Sequence, residues 1–220
     1  SCITDNHLKL VVDQVDKNRI ELVHIYIPED FYDKKEDKYN LLSALQKSIR
    51  GSDPDAAVHY LARLIDGGAD IQMIGRRLMV IASEDIGMAY PSAISIVTAC
   101  VQAALMVGLP EAQINLAQAT ILLSSCPKSN AASEALSRAI KDIRTRKIDD
   151  VPLHLKDSHY SGAAKLGIGL NYKFPHAYGG YVKQQYLPDN LYREGVRYYE
   201  PTENGSEAAF KKFLEGLKKL

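Results

Sequence analysis

Ile49-Arg50-Gly51-Ser52-Asp53-Pro54-Asp55-Ala56-Ala57 is the stretch that decides the fold. Ile49 completes an apolar stripe begun by Leu41, Leu42 and Leu45, and Gly51 ends the helix that carries it. Asp53 then offers a side-chain oxygen to the free N–H groups of a new helix, and Pro54 brings a preset φ to its first position. One amphipathic helix passes into the next through a connection of a few residues, and that punctuation recurs downstream. Ala57, Leu61, Leu64 and Ile65 line the second helix, which stops at Gly67-Gly68. Asp70 caps a third, with Ile71, Ile74, Leu78 and Ile81 inward. Pro91 opens a fourth that turns Ile94, Val97, Val101, Ala104 and Leu105 inward and stops at Gly108. Pro110 opens a fifth, to about Ser124, with Ile114, Ala117, Ile121 and Leu122 on one face and a central place in the core. Lys128 to Lys147 forms a sixth, with Ala131, Ala135, Ala139 and Ile143 apolar. Short loops between amphipathic helices predict antiparallel neighbours in an all-α bundle.

Outward from this core the pattern weakens. Toward the N-terminus, Thr4 or Asp5 caps a short helix through Val15, Ile20 to Ile27 reads as a short strand or a helix, and Pro28 to Lys38 reads as loop. After Val151 the chain is broken by Pro152, Gly162, Gly167, Gly169, Gly179, Gly180 and Pro188. Eight of the 13 tyrosines stand at position 160 or later, which marks an extended segment laid over a helical body. A last helix from Glu207 to Leu220 aligns Ala209, Phe213 and Leu217. The expected division is therefore 1–38 as a linker or the end of a preceding domain, 39–150 as a helical domain, and 151–220 as a Gly/Tyr-rich extension with a terminal helix packed on it.

Composition narrows the function classes. Charge is balanced at 27 basic and 27 acidic residues, so there is no bulk attraction for nucleic acid. Cys2, Cys100 and Cys126 are odd in number and far apart, a pattern that suits a reducing cytoplasm. No apolar run is long enough to span a bilayer. No GxxxxGK[ST] phosphate loop, GxSxG elbow, HxxxH or HExxH pair occurs, so no catalytic, cofactor or metal site is assigned. Gly167-Ile168-Gly169 lacks the third glycine of a dinucleotide fingerprint.

Two groups of polar residues remain. Arg50, Arg76, Arg77, Glu84 and Asp85 read as a structural ion-pair network at the ends of the first three helices. Arg138, Lys141 and Arg144 form a basic helix edge, either a solvated face suited to a helix C-terminus or a contact for phosphates or an acidic partner. Tyr172, Lys173 and Tyr181, with Phe174, Tyr178 and Lys183, read either as self-packing rings or as a surface for stacking single-stranded bases.

Leu42 to Ala57 as a block, Ala82-Ser83-Glu84-Asp85-Ile86-Gly87, Cys126-Pro127-Lys128-Ser129-Asn130-Ala131 and Val151-Pro152-Leu153-His154-Leu155 carry a likeness to a known family. Tyr172-Lys173-Phe174-Pro175-His176, Gly179 to Pro188 and Tyr199-Glu200-Pro201-Thr202 complete it. Taken in order from about 32 to 220, they resemble the region after the ATPase core in the replication-associated recombination protein A family (RarA/MgsA), which includes the Werner-helicase-interacting ATPases. The resemblance implies a helical bundle like the clamp-loader collar, serving to gather subunits into a homo-tetramer. It also implies an AAA+ ATPase acting in DNA replication, recombination and repair at stalled forks, with DNA and single-strand-binding protein as partners of the full-length protein. ATP and Mg would sit in its N-terminal half, leaving this chain a C-terminal piece without catalysis or cofactor of its own. The alternative is a module that itself contacts DNA or single-strand-binding protein through the basic helix and the Tyr-rich tail.

Overall fold

A computed structural model describes residues 2–5, 8–16, 19–26, 30–157 and 169–217. It begins with three antiparallel strands in the order β1 (Cys2–Asp5), β2 (Leu8–Asp16) and β3 (Arg19–Tyr26). Cys2 pairs with Val11 across the first ladder and Leu10 with Ile25 across the second, with an irregularity between Val12 and Val15. The helix expected from Thr4 or Asp5 to Val15 is instead the end of β1 and, from Leu8, most of β2. Leu10, Val11, Val12 and Val15 favour the pleated backbone, and the neighbouring ladders supply the hydrogen bonds that a local helix would otherwise make. The Ile20–Ile27 segment, open between strand and helix, is strand over Arg19–Tyr26.

The described residues from Asp30 onward are helical or irregular, as the all-α reading expects. Helix α1 (Asp30–Arg50) begins earlier than predicted, so much of the charged 28–38 segment is helical and not loop. Its end is tighter than the sequence suggested. Ser52, not Gly51, takes the left-handed conformation (φ 59°), and Asp53 N–H reaches back to the Ser48 carbonyl at 3.0 Å. Asp53 Oδ1 then accepts the Ala56 N–H at 2.9 Å to start α2 (Pro54–Asp66). Gly68 (φ 67°) closes α2 in the same way, with Ala69 N–H bonded to the Leu64 carbonyl. Asp70 Oδ1 accepts the Gln72 N–H at 3.1 Å ahead of α3 (Ile71–Ile81). A π-helical turn (Ala82–Ile86) and a 3-10 turn (Gly87–Ala89) lead to α4 (Ala93–Val107). Helices α5 (Ala112–Ser125), α6 (Ala131–Thr145), α7 (Asp189–Glu194) and α8 (Glu207–Leu217) follow.

Two compact units result: Ser1–Ile81 with Ser95–Ser125, and Ala82–Ile94 with Cys126–Leu220. In the first, α1 packs on α2, α3 and α5, and α5 also meets α2 and α3. Its core holds Leu45, Ile49, Leu61, Leu64, Ile74, Leu78, Val97, Leu116 and Leu123. At Gly75 of α3 a β-carbon would lie 2.5 Å from Val101 Cγ1, so this glycine permits the close approach of α3 and α4.

Helix α5 presents a face other than the one predicted, and α4 buries Val97, Val101 and Ala104 as predicted but not Ile94 and Leu105. In α5 the buried residues are Ala112, Leu116, Ala119, Thr120, Leu123 and Ser124, while Ile114 and Ile121 are exposed. In α4, Ala93, Val97, Cys100, Val101 and Ala104 are buried, and Ile94 and Leu105 are exposed. Both helices are apolar nearly all round, so periodicity alone does not choose the inward face. The buried faces combine small residues with Val97, Val101, Leu116 and Leu123, while Ile94, Leu105, Ile114 and Ile121 stand outside.

Candidate functional site

The most elaborated polar geometry lies in the second unit, around Glu207. This carboxylate at the first position of α8 is fully buried (0% exposed). Tyr199 donates its hydroxyl to Oε1 at 2.7 Å and Thr202 donates to Oε2 at 2.6 Å. Ser129 donates a third hydrogen bond to the carboxylate, and its oxygen accepts the Ala131 N–H at the start of α6. Burial by itself pushes the Glu207 carboxyl upward, but the three hydroxyl donors outweigh it and hold it below its ordinary value. The opposite happens to Tyr199, which is pushed up to about 12, first by burial and then by its bond to the carboxylate.

Backbone contacts extend this knot. Ser129 N–H bonds to the Asp85 carbonyl at 2.9 Å, Ser206 N–H to Ala89 at 2.8 Å, and Asn204 Nδ2 to Lys128 at 2.8 Å. Gly205 (φ 52°) lies so near Ala89 that a β-carbon would be 2.2 Å from its carbonyl oxygen. Burial lowers the Lys128 ammonium, against the pull of Cys126 and Asp85, and Lys128 Nζ donates to the Cys126 carbonyl. Three stretches of the family likeness, Ala82–Gly87, Cys126–Ala131 and Tyr199–Thr202, meet here. Sequence reading missed Glu207, because an acidic residue in a first helical turn is the common solvated case and gives no sign of burial.

A second set of contacts joins the extension to the end of α6. Asp142 of α6 accepts from Arg146 at 2.7 Å and from the Tyr198 hydroxyl at 2.8 Å, and these bonds hold its carboxyl low. Arg146 also pairs with Glu194, and Asn190 Nδ2 donates to the Lys147 carbonyl at 3.0 Å. His154 Nε2 lies 2.8 Å from the Gln185 carbonyl, joining two more stretches of the likeness.

Arg50, Arg76 and Arg77 belong to the first unit, Glu84 and Asp85 to the second. Arg77 Nη1 donates to Gln46 Oε1 at 3.1 Å, and Arg76 and Arg77 border a shallow groove with Tyr39, Leu42, Met73 and Val80. On α6, Arg138 pairs with Glu200 at 3.2 Å, whereas Lys141 and Arg144 are exposed. Glu200 and Tyr181 line a groove of about 570 Å³ together with Arg197, Lys211 and Leu214. Tyr172 and Lys173 are exposed on the extension. Among the described residues no group of three His, Cys, Asp or Glu side chains could hold a metal ion, and no helix is long and apolar enough to cross a membrane.

Residues 51–218, more than half of the chain, match the family described as the C-terminal part of the MgsA AAA+ ATPases. Replication-associated recombination protein A of Bacillus subtilis is 55% identical over 82% of the chain, which spans 43% of that protein. An uncharacterised AAA-domain protein of Mycobacterium tuberculosis is 50% identical over 86% of the chain and 42% of its own length. Replication-associated recombination protein A of Haemophilus influenzae is 37% identical over 97% of the chain and 50% of its own length. The chain thus spans half or less of each of these relatives. It belongs to the MgsA AAA+ ATPase C-terminal family, the C-terminal region of replication-associated recombination protein A and its kin.

Proposed function

We propose that this chain is the self-assembly module of a DNA-dependent AAA+ ATPase, a homo-tetramer with no catalysis of its own. The observation that carries the reading is the outward face of α5. Ile114, 68% exposed, and Ile121 stand in solvent in the first unit, as do Leu105, Met106, Val107 and Leu109 at the end of α4 and just beyond it. Ile114 and Ala117 also line an open groove of about 530 Å³ with Val58, Leu61, Ala62 and Ile65 of α2. Large aliphatic side chains gathered on one unit are costly in water and mark a surface that pairs. A stable contact of ordinary size buries about 1,600 Å² in total, and closed symmetry makes a dimer of dimers the simplest tetramer. The relatives named for replication-associated recombination support a place in that process for the full-length protein, with ATP and Mg held outside this chain and DNA and single-strand-binding protein as its partners in the cytoplasm. Light scattering tests the assembly. The chain at tens of micromolar gives a multiple of its 24.4 kDa mass, and Ile114→Lys with Ile121→Lys returns it to monomer. A strictly monomeric parent chain refutes the reading.

A further inference from the structure

Helix α6 leaves its large aliphatic residues in solvent. Leu136 is 63% exposed, Ile143 69% and Ile140 36%, and their positions on successive turns place them in one row about 10 Å long. The inward side carries the buried Ala131, the half-buried Ala135 and Ala139, and the side chains of Arg138, Asp142 and Arg146. Short side chains and ion pairs to Glu200 and Glu194 thus hold α6 to its own unit, and the aliphatic row takes no part. Its rim is basic. Arg144 stands one turn beyond Ile140, Lys141 lies on the same side, and Lys147 follows the last turn, all three exposed. Of the two acidic residues of α6, Asp142 is turned to Arg146 and Tyr198. The other, Glu134, sits in the first turn, about 15 Å along the axis from Arg144. The helix itself therefore supplies no carboxylate beside the exposed end of the row.

A row of aliphatic side chains on an ordered helix is a ridge that a second helix packs against, and the charges beside it select that helix. We propose that this face docks an amphipathic α-helix of a partner protein. Its aliphatic side chains cover Leu136, Ile140 and Ile143, and its acidic side chains lie beside Lys141, Arg144 and Lys147. Phosphates alone would neutralise the rim and leave the row in water. A second copy of α6 would cover the row and bring no carboxylate to the rim, because that side of the helix offers only Ser137, Lys141 and Arg144. The proposal is independent of self-assembly, which rests on the first unit.

Fluorescence anisotropy with a labelled peptide of about three heptads, leucine and isoleucine on its apolar face and glutamate flanking them, tests it. At low salt this peptide binds at least about tenfold tighter than its lysine-for-glutamate counterpart, and by a similar margin tighter than a scrambled peptide of equal charge. Leu136→Ser with Ile143→Ser weakens binding by about tenfold or more, as the loss of two anchors does. Lys141→Glu with Arg144→Glu reverses the choice and favours the lysine peptide. All four positions are exposed, so circular dichroism and light scattering of both variants match the parent. Equal binding of the scrambled peptide, binding that survives the aliphatic variant, or an unchanged choice after charge reversal overturns the proposal. A lower assembly mass in the aliphatic variant assigns the face to a second copy and overturns it too. So does a charge reversal that weakens binding of a labelled oligonucleotide and leaves that of the peptide intact.

Discussion

Replacing Glu207 by alanine removes the acceptor shared by Ser129, Tyr199 and Thr202 in a fully buried site. A hydrogen bond to a charged group contributes about 1.5–3 kcal/mol, so three set a ceiling of about 5–9 kcal/mol. Two effects lower it. The alanine variant no longer keeps a carboxylate out of water, and the Ser129 and Thr202 hydroxyls can turn toward backbone carbonyls. Deleting one partner of a buried charged cluster costs about 3–5 kcal/mol, and a value of about 3 kcal/mol is expected here. For a chain of this size that lowers the melting temperature by about 6–12 °C. Glu207→Gln keeps the volume and one acceptor oxygen, and its loss is about 1–2 kcal/mol. A second readout separates this mechanism from simple loss of packing. Burial first and the bond to Glu207 second push Tyr199 up to about 12, and Glu207→Gln relieves only the second, so its titration, followed by ultraviolet absorbance, moves part of the way down toward the ordinary tyrosine value of about 10. A Glu207→Ala chain that melts within about a degree of the parent, or a glutamine variant with the parent's tyrosine titration, refutes the reasoning.

The depressed Glu207 carboxyl sets an acid limit. Its contribution is complete above the unfolded value of about 4.3 and is lost as pH falls through the lower folded value, so Glu207→Gln flattens the acid side of a melting-temperature profile. Gly75→Ala gains about 1 kcal/mol of helix propensity but places a methyl 2.5 Å from Val101 Cγ1. With overpacking at about 1–3 kcal/mol the net change runs from nothing to a loss of about 2 kcal/mol, read by urea unfolding; a variant more stable than the parent would mean that Val101 swings aside freely. Gly205→Ala is more damaging, at least about 3 kcal/mol, because the obstacle is the Ala89 backbone oxygen and the residue has positive φ. A soluble Gly205→Ala chain with parental urea midpoint would contradict it.

Helix boundaries and family membership were legible in the sequence because both rest on local chemistry. Asp53-Pro54, Gly67-Gly68 and Asp70 act on backbone groups a few residues away, and they start and stop helices as read. The inward faces of α2 and α3 were also legible, since charged residues such as Arg63 and Arg76 occupy the opposite sides. The face of α5 and the edges of the α4 face were not, because helices apolar on nearly every side carry little local mark of direction. The three N-terminal strands escaped for a related reason: a ladder takes its hydrogen bonds from other segments, and one segment's pattern does not reveal them.

What the sequence by itself determined was therefore the punctuation, the helical class of residues from about Asn40 to Lys147 and the kinship carried by its motifs. Only the tertiary structure decided that Ile114 faces solvent, that α6 leaves Leu136 and Ile143 exposed, and that three distant motifs meet around a buried Glu207. Burial and partnership depend on segments more than a hundred positions apart, as Asp85 and Glu207 are, and no local rule of spacing encodes that encounter.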